Sequence, residues 1–231
     1  MKQLVLLFIT SLLLTSCNER IVQLPETTNK DITEIVDVSP VYMFYDEEKD
    51  SVEFNRRNMI SATNWLVNID KRLTLKQILP HLQYLQEKRQ GAEKHSFHNY
   101  FTCNNIDLKN LSFIEFTNVI YHEESPEGYF SKISDISKSE AITFHINSSG
   151  KISTMIVKNN EPSPLILEWD NLLNSIKQIV SESLEPIDIY VSYDSKLTFQ
   201  DYITVKSILE NIGMWQNLID ENEFIYNSVQ I

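Results

Sequence analysis

Leu75, Ile78, Leu79, Leu82 and Leu85 recur at offsets of three, four, seven and ten, the period of a helix with one buried face. Thr74 followed by Gln77 supplies a capping box ahead of this run, and Pro80 inside it removes one helical hydrogen bond, so a bend or a late start is expected. Trp169, Leu172, Leu173, Ile176 and Ile179 repeat the same offsets. A second pair of segments also corresponds. Leu111-Ser112-Phe113-Ile114-Glu115-Phe116 matches Leu197-Thr198-Phe199-Gln200-Asp201-Tyr202, each with a hydroxyl residue three positions before a carboxylate. Ser112 with Glu115 and Thr198 with Asp201 therefore read as helix starts. Phe113, Phe116 and Val119 then share a face, as do Phe199, Tyr202 and Val205, with Ile208, Leu209 and Ile212 continuing to Gly213.

Hairpins precede the first helix of each copy. Val41–Tyr45 and Ser51–Phe54 flank the charged turn 46–50, and Ile142–Ile146 and Ile152–Val157 flank Asn147-Ser148-Ser149-Gly150. Strand-like Tyr100–Cys103 and Ile187–Tyr193 fall between the paired helices, and Glu223–Val229 reads as a last strand. The order strand, strand, helix, strand, helix recurs. It predicts an α+β fold of two similar units, 39–130 and 140–231, with helices packed on one face of small mixed sheets.

The apolar run Leu4 to Leu14 follows Lys2 and spans eleven residues, short of the roughly 20 that cross a bilayer. It reads as a cleaved signal, 1–16. Leu14-Thr15-Ser16-Cys17 resembles a bacterial lipobox, which implies that Cys17 becomes the acylated first residue of the mature chain; an ordinary secretory signal is the alternative. Residues 17–38, polar and holding Pro25, read as a tether. The expected location is the cell envelope, anchored by lipid, and Asn18 after Cys17 is compatible with the outer membrane and its periplasmic side.

Charge and composition narrow the chemistry. Thirty-two acidic residues against 20 basic ones disfavour nucleic acid as a partner. Cys103 is the one thiol besides Cys17, so no internal disulfide can form between unacylated cysteines, and an inert thiol is expected. Four glycines, Gly91, Gly128, Gly150 and Gly213, are placed where no phosphate loop or oxyanion turn can be built.

The second copy resembles the periplasmic domain of the ExbD/TolR family of biopolymer-transport proteins. The resemblance rests on the turn 147–151 with its following strand, the helix 168–180, the strand 187–194 ending in Asp194, Phe199 opening the next helix and Gly213 closing it. Family members that work with a proton channel carry a membrane helix with an acidic residue. Leu4 to Leu14 has none, so this chain is not expected to conduct protons itself. Domains of that family form homodimers, which implies that two copies in one chain could pair internally.

His95 and His98, with His122, Glu123 and Glu124 nearby, could hold a metal, but solvated loop histidines are the default. Asp188 and Asp194 lie roughly 20 Å apart along a strand, too far for paired carboxylate catalysis, and Asp194 is expected to cap a turn. Lys71, Arg72, Lys76, Lys88, Arg89 and Lys94 form the one basic stretch and could dock an acidic partner, anionic lipid or cell-wall carboxylates. Trp65, Trp169 and Trp215 are expected in the core. No catalytic, metal or cofactor site is expected. The expected role is binding or scaffolding linked to biopolymer transport or the cell wall, through membrane transport components or peptidoglycan. A cell-wall hydrolase and a lipoprotein that binds a small ligand or inhibitor are the alternatives.

Overall fold

Alternation of buried and half-exposed residues builds the first sheet. In β2 (Val38–Asp46), Ser39, Val41 and Met43 face inward, and in β4 (Asn64–Ile69) Trp65, Val67 and Ile69 do the same. The computed structural model describes residues 20–90, 97–132, 141–149, 151–158, 161–167, 174–175, 177–178, 181, 188–210 and 219–227. The first sheet also holds β1 (Glu26–Thr27), β3 (Ser51–Asn55), β5 (Asn99–Asn105) and β6 (Asn110–Glu115). The second holds β7 (Ile120–His122), β8 (Ala141–Ile146), β9 (Ile152–Lys158), β10 (Glu161–Leu167), β11 (Asp188–Asp194) and β12 (Ile219–Tyr226). With α1 (Leu75–Gln90), α2 (Pro126–Phe130) and α3 (Phe199–Glu210), the protein is α+β with two mixed sheets.

The two sheets share one path. Strands β3-β2-β4-β5 and β9-β8-β11-β12 both run antiparallel, parallel, parallel. Helix α1 connects β4 to β5, and α3 connects β11 to β12. The repeated element is therefore a β-α-β unit whose turn reads Asp70-Lys71-Arg72-Leu73-Thr74-Leu75 in one copy and Asp194-Ser195-Lys196-Leu197-Thr198-Phe199 in the other. Local bonds match in detail. Leu73 N–H donates to Asp70 O at 3.2 Å and Leu197 N–H to Asp194 O at 3.0 Å. Both capping boxes form: Thr74 N–H donates to Gln77 Oε1 at 2.8 Å, and Thr198 N–H to Asp201 Oδ2 at 3.0 Å. Each such cap stabilises its helix by about 1 kcal/mol.

This register replaces the one expected for the repeat. Ser112 does not cap a helix, because residues 110–115 form β6, paired antiparallel with β5. Glu115 turns instead to His98 and to the Thr117 hydroxyl. The apolar spacing of Phe113, Phe116 and Val119 fits a helix, but Ser112 and Ile114 are both buried on the pleat, and pairing with β5 satisfies the backbone. Phe113 and Phe199 thus have unlike surroundings, and α1 corresponds to α3 rather than to the helix expected at 168–180. That helix falls mostly outside the described residues; 174–175, 177–178 and 181 are helical. Trp169, Leu172, Leu173, Ile176, Ile179, Ile212 and Gly213 lie outside them as well.

Both expected hairpins, the strands around Tyr100 and Ile189, and the last strand are present. Helix α1 starts at Leu75 and continues through Pro80. Strand β10 was not expected. It carries Pro162 and Pro164, two residues apart, which puts both missing N–H groups on one side, and it occupies the sheet edge where prolines are tolerated.

One hydrophobic core serves both copies, running from Val41, Val67 and Phe101 to Val191, Tyr202 and Ile225. Helices α1 and α3 lie between the sheets. Phe199 and Tyr202 of α3 meet the Phe101 ring of β5 at 5.2 and 5.9 Å, while α1 reaches β7 and β12.

The stretch 17–38 is not a free tether over its described part. Gln23 O accepts from Lys71 N–H at 2.7 Å, Pro25 O from Asn104 N–H at 2.8 Å, and Ile32 O from Phe113 N–H at 2.9 Å. Glu26 and Gln200 of α3 exchange two hydrogen bonds, at 2.8 and 2.9 Å, and Thr27 and Ser207 share one at 2.7 Å. Polar composition gave the segment no core signal of its own. Its order comes from backbone groups satisfied by distant partners.

Candidate functional site

The turns that open α1 and α3 bind each other. Leu75 N–H donates to Leu197 O at 2.8 Å and Phe199 N–H to Leu73 O at 2.7 Å; Lys76 N–H donates to Ser195 O at 2.8 Å and Gln200 N–H to Lys71 O at 3.1 Å. Exchanging the two copies maps each bond onto its mate, so the junction has a local twofold symmetry, with Thr74 opposite Thr198. An isologous contact of this kind is what two separate subunits make across a dimer axis. Four orphan N–H groups at helix starts are satisfied by the other copy.

Beyond the junction, α3 and β12 carry a buried polar network. Glu223 accepts from Tyr202 Oη at 2.7 Å and from Lys206 Nζ at 2.7 Å. The Tyr121 and Tyr202 hydroxyls lie 3.2 Å apart, and the Tyr193 ring meets the Tyr202 ring at 5.0 Å. Burial, then the nearby Glu223 charge, raises all three tyrosines well above their ordinary range. Tyr193 Oη is buried without a hydrogen-bond partner among the described residues. Strand β7, from the first copy, contributes Tyr121 by pairing with β12, so the network needs both halves of the chain.

Glu223 and Lys206 form part of the wall of an open cleft of about 490 Å³. Glu115 to Val119 enclose one side, Leu209 and Glu210 another, and Ile219 to Glu221 a third. Among the described residues, Glu115, Glu210, Asp220, Glu221 and Glu223 face it against the single cation Lys206. A concave surface lined by one sign of charge concentrates the opposite ion, here cationic groups. Glu210 is a special case. Burial raises its carboxyl to about 7, and Asp31 pushes the same way, while Lys206 and the hydrogen bond from the Asn29 amide pull it down.

The six basic residues expected to form a docking surface are divided. Lys71, Arg72 and Lys76 sit at the start of α1, and Lys88 and Arg89 at its end, roughly 20 Å away at 1.5 Å per residue. Lys71 pairs with Glu26 at 2.8 Å, and Arg72 with Asp70 at 2.9 Å and with Glu47. Asp70 is fully buried; burial acts to raise its carboxyl, but hydrogen bonds from Arg72 and from the Arg72 and Gln23 backbone hold it below the usual range. Arg89 lies 3.7 Å over the Trp65 ring, donates to Asn99, Ser61 and Thr63, and is lowered to about 10 by burial. Lys94 lies outside the described residues, as do His95 and Cys17. Lys71, Arg72 and Arg89 thus serve internal contacts, which sequence spacing alone did not reveal, while Lys76 and Lys88 are exposed.

The other candidates resolve locally. His98 bonds Glu115 at 2.6 Å, and His122 bonds Asn222 at 2.6 Å while stacking on Phe224. No group of three His, Cys, Asp or Glu among the described residues is arranged to hold a metal. Asp194 receives the Lys196 N–H at 2.8 Å, as a turn cap does, and Asp188 is at the far end of β11. Cys103 is fully buried, and burial pushes its thiol far up. Trp65 is in the core; Trp169 and Trp215 are outside the described residues. Glu210, Glu223, Tyr202 and Lys206 escaped sequence reasoning, although the spacing of Tyr202, Lys206 and Glu210 along one helix stripe was available. No protein-family model, curated protein or solved structure matches the chain.

Proposed function

We propose that this is a lipid-anchored envelope protein, acylated at Cys17, that works by binding and not by catalysis. Two ExbD/TolR-like units in one chain would serve as an accessory or structural part of a biopolymer-transport or cell-wall assembly. Its partners would be membrane transport components or peptidoglycan, met on the periplasmic side of the outer membrane. The reciprocal junction carries this reading: one polypeptide supplies the symmetric contact for which a dimer-forming domain needs a second copy. A scaffold built so presents its surfaces at any concentration, because the pairing is intramolecular.

Sedimentation of the mature protein at low micromolar concentration is expected to give a monomer; a strict dimer argues against internal pairing. Affinity capture of the acylated protein is expected to recover transport components or peptidoglycan, and recovery of neither refutes the role. The acidic cleft favours a second reading, a lipoprotein that binds a small cationic ligand. Calorimetry with a polyamine would then give saturable binding that Glu223→Gln weakens.

A further inference from the structure

The docked N-terminal segment decides how the body sits on its membrane. We infer that the β2–β3 hairpin end faces the bilayer at close range and that the acidic cleft is held away from it, an orientation that rests on acylation of Cys17 as proposed above. A tether running from Cys17 to Val38 would let the body rise roughly 70 Å and turn freely, at 3.3–3.6 Å per residue. The chain is instead bonded into the fold from Gln23 onward, by Lys71 N–H to Gln23 O and by Gln23 N–H to Asp70 Oδ2 at 3.2 Å. The six steps from Cys17 to Gln23 span roughly 20 Å at most.

Where the segment leaves the body is also fixed. Arg20 pairs with Glu53 of β3, and Arg20 and Ile21 line a cavity of about 300 Å³ with Phe44, Tyr45 and the hairpin residues Asp46, Glu47 and Glu48. Ile21 is 75 % exposed. Glu115, at the cleft, belongs to β6, four strands from β3 across the sheet, or roughly 19 Å at 4.8 Å per strand. The hairpin end is mildly acidic, with Asp46, Glu47, Glu48, Asp50 and Glu53 against Arg20, Lys49 and Arg72, a net charge of −2. Arg20 meets Glu53, Lys49 meets Asp46 at 2.7 Å, and Arg72 meets Glu47. Such a surface is held at a zwitterionic bilayer by the short leash and is repelled by anionic lipid, while the cleft, with its unbalanced carboxylates, is left open to the periplasmic space.

Native Cys103 is buried and unreactive, so single labelling sites can be introduced without removing it. Glu48→Cys, in the hairpin turn, and Glu221→Cys, in the cleft wall, would each carry a fluorophore on full-length acylated protein in phosphatidylcholine vesicles containing headgroup-spin-labelled lipid. Loss of emission at position 48 with retention at 221 is expected, with the loss at 48 lessened when phosphatidylglycerol is added. Equal quenching at both sites, or quenching at neither on protein whose acylation is verified by mass, overturns the orientation. Mass spectra without an acyl group on residue 17 overturn the anchoring itself, a separate failure. A flexible glycine-serine insert between Glu19 and Arg20 is expected to abolish the difference between the sites; if the difference persists, something other than the short leash sets it.

Discussion

Glu210 gives the fold a stability that declines as pH rises. Its carboxyl is raised from 4.5 to about 7, chiefly by burial. Below pH 4.5 the group is protonated in both the folded and unfolded chain and contributes no pH dependence. Between 4.5 and 7 the unfolded chain releases its proton while the folded chain keeps it, so each step upward favours unfolding. Above 7 both states are ionised and the deficit is constant. At 1.36 kcal/mol per pH unit the full loss is roughly 3 kcal/mol, a large share of the 5–15 kcal/mol typical of a domain. Glu210→Gln keeps the side-chain volume and an oxygen for the Asn29 amide but removes the titration. Urea unfolding of both proteins from about pH 4 to pH 8.5 measures the effect. The variant should match the parent near pH 4 and exceed it by roughly 3 kcal/mol at pH 8. Contributions from Asp70, His81 and His145, which are lowered in the fold and destabilise it as pH falls, cancel in the difference if the sites are independent. A difference that is flat with pH, or that grows toward acid, refutes the assignment.

Phe199→Ala opens a cavity where the ring meets Phe101 and Tyr202, and a loss of about 3–5 kcal/mol in the unfolding midpoint analysis is expected. Arg72→Met leaves the Asp70 carboxylate buried without its guanidinium, at a cost of about 3 kcal/mol by the same assay. Thr74→Ala and Thr198→Ala should each lose about 1 kcal/mol. Because the two threonines face each other across the junction, the double variant should depart from additivity; strict additivity would show that the two turns are energetically separate.

The hairpins at 41–54 and 142–157 were legible because alternation and turn residues act within a few positions of one another. The two capping boxes at Thr74 and Thr198 were legible for the same reason, each closing within three residues. Residues 111–116 fit two templates, since Phe113 and Phe116 satisfy helical spacing while Ser112 and Ile114 satisfy the pleat. Strand β5 settled the choice by offering an unpaired edge. The repeat was recognised but misaligned. The shared turn from Asp70 to Leu75 and from Asp194 to Phe199 lay in plain view, yet its weight comes from reciprocal hydrogen bonds between residues more than a hundred positions apart. The surroundings of the basic stretch were hidden for a related reason: Glu26, Glu47, Asp70 and Trp65 neutralise or cover Lys71, Arg72 and Arg89 from other elements.

By itself the sequence determined the α+β class, the acidic balance, the two hairpins and the starting points of α1 and α3. Tertiary structure decided which segments are equivalent, how the copies join, where residues 20–38 lie, and that a cleft with a near-neutral glutamate opens between α3, β12 and the β6–β7 connection. The division follows from range. Caps, turns and alternation are fixed by bonds within a few residues, whereas a buried carboxylate, a docked polar strand and a symmetric junction exist only once distant groups have excluded the water between them.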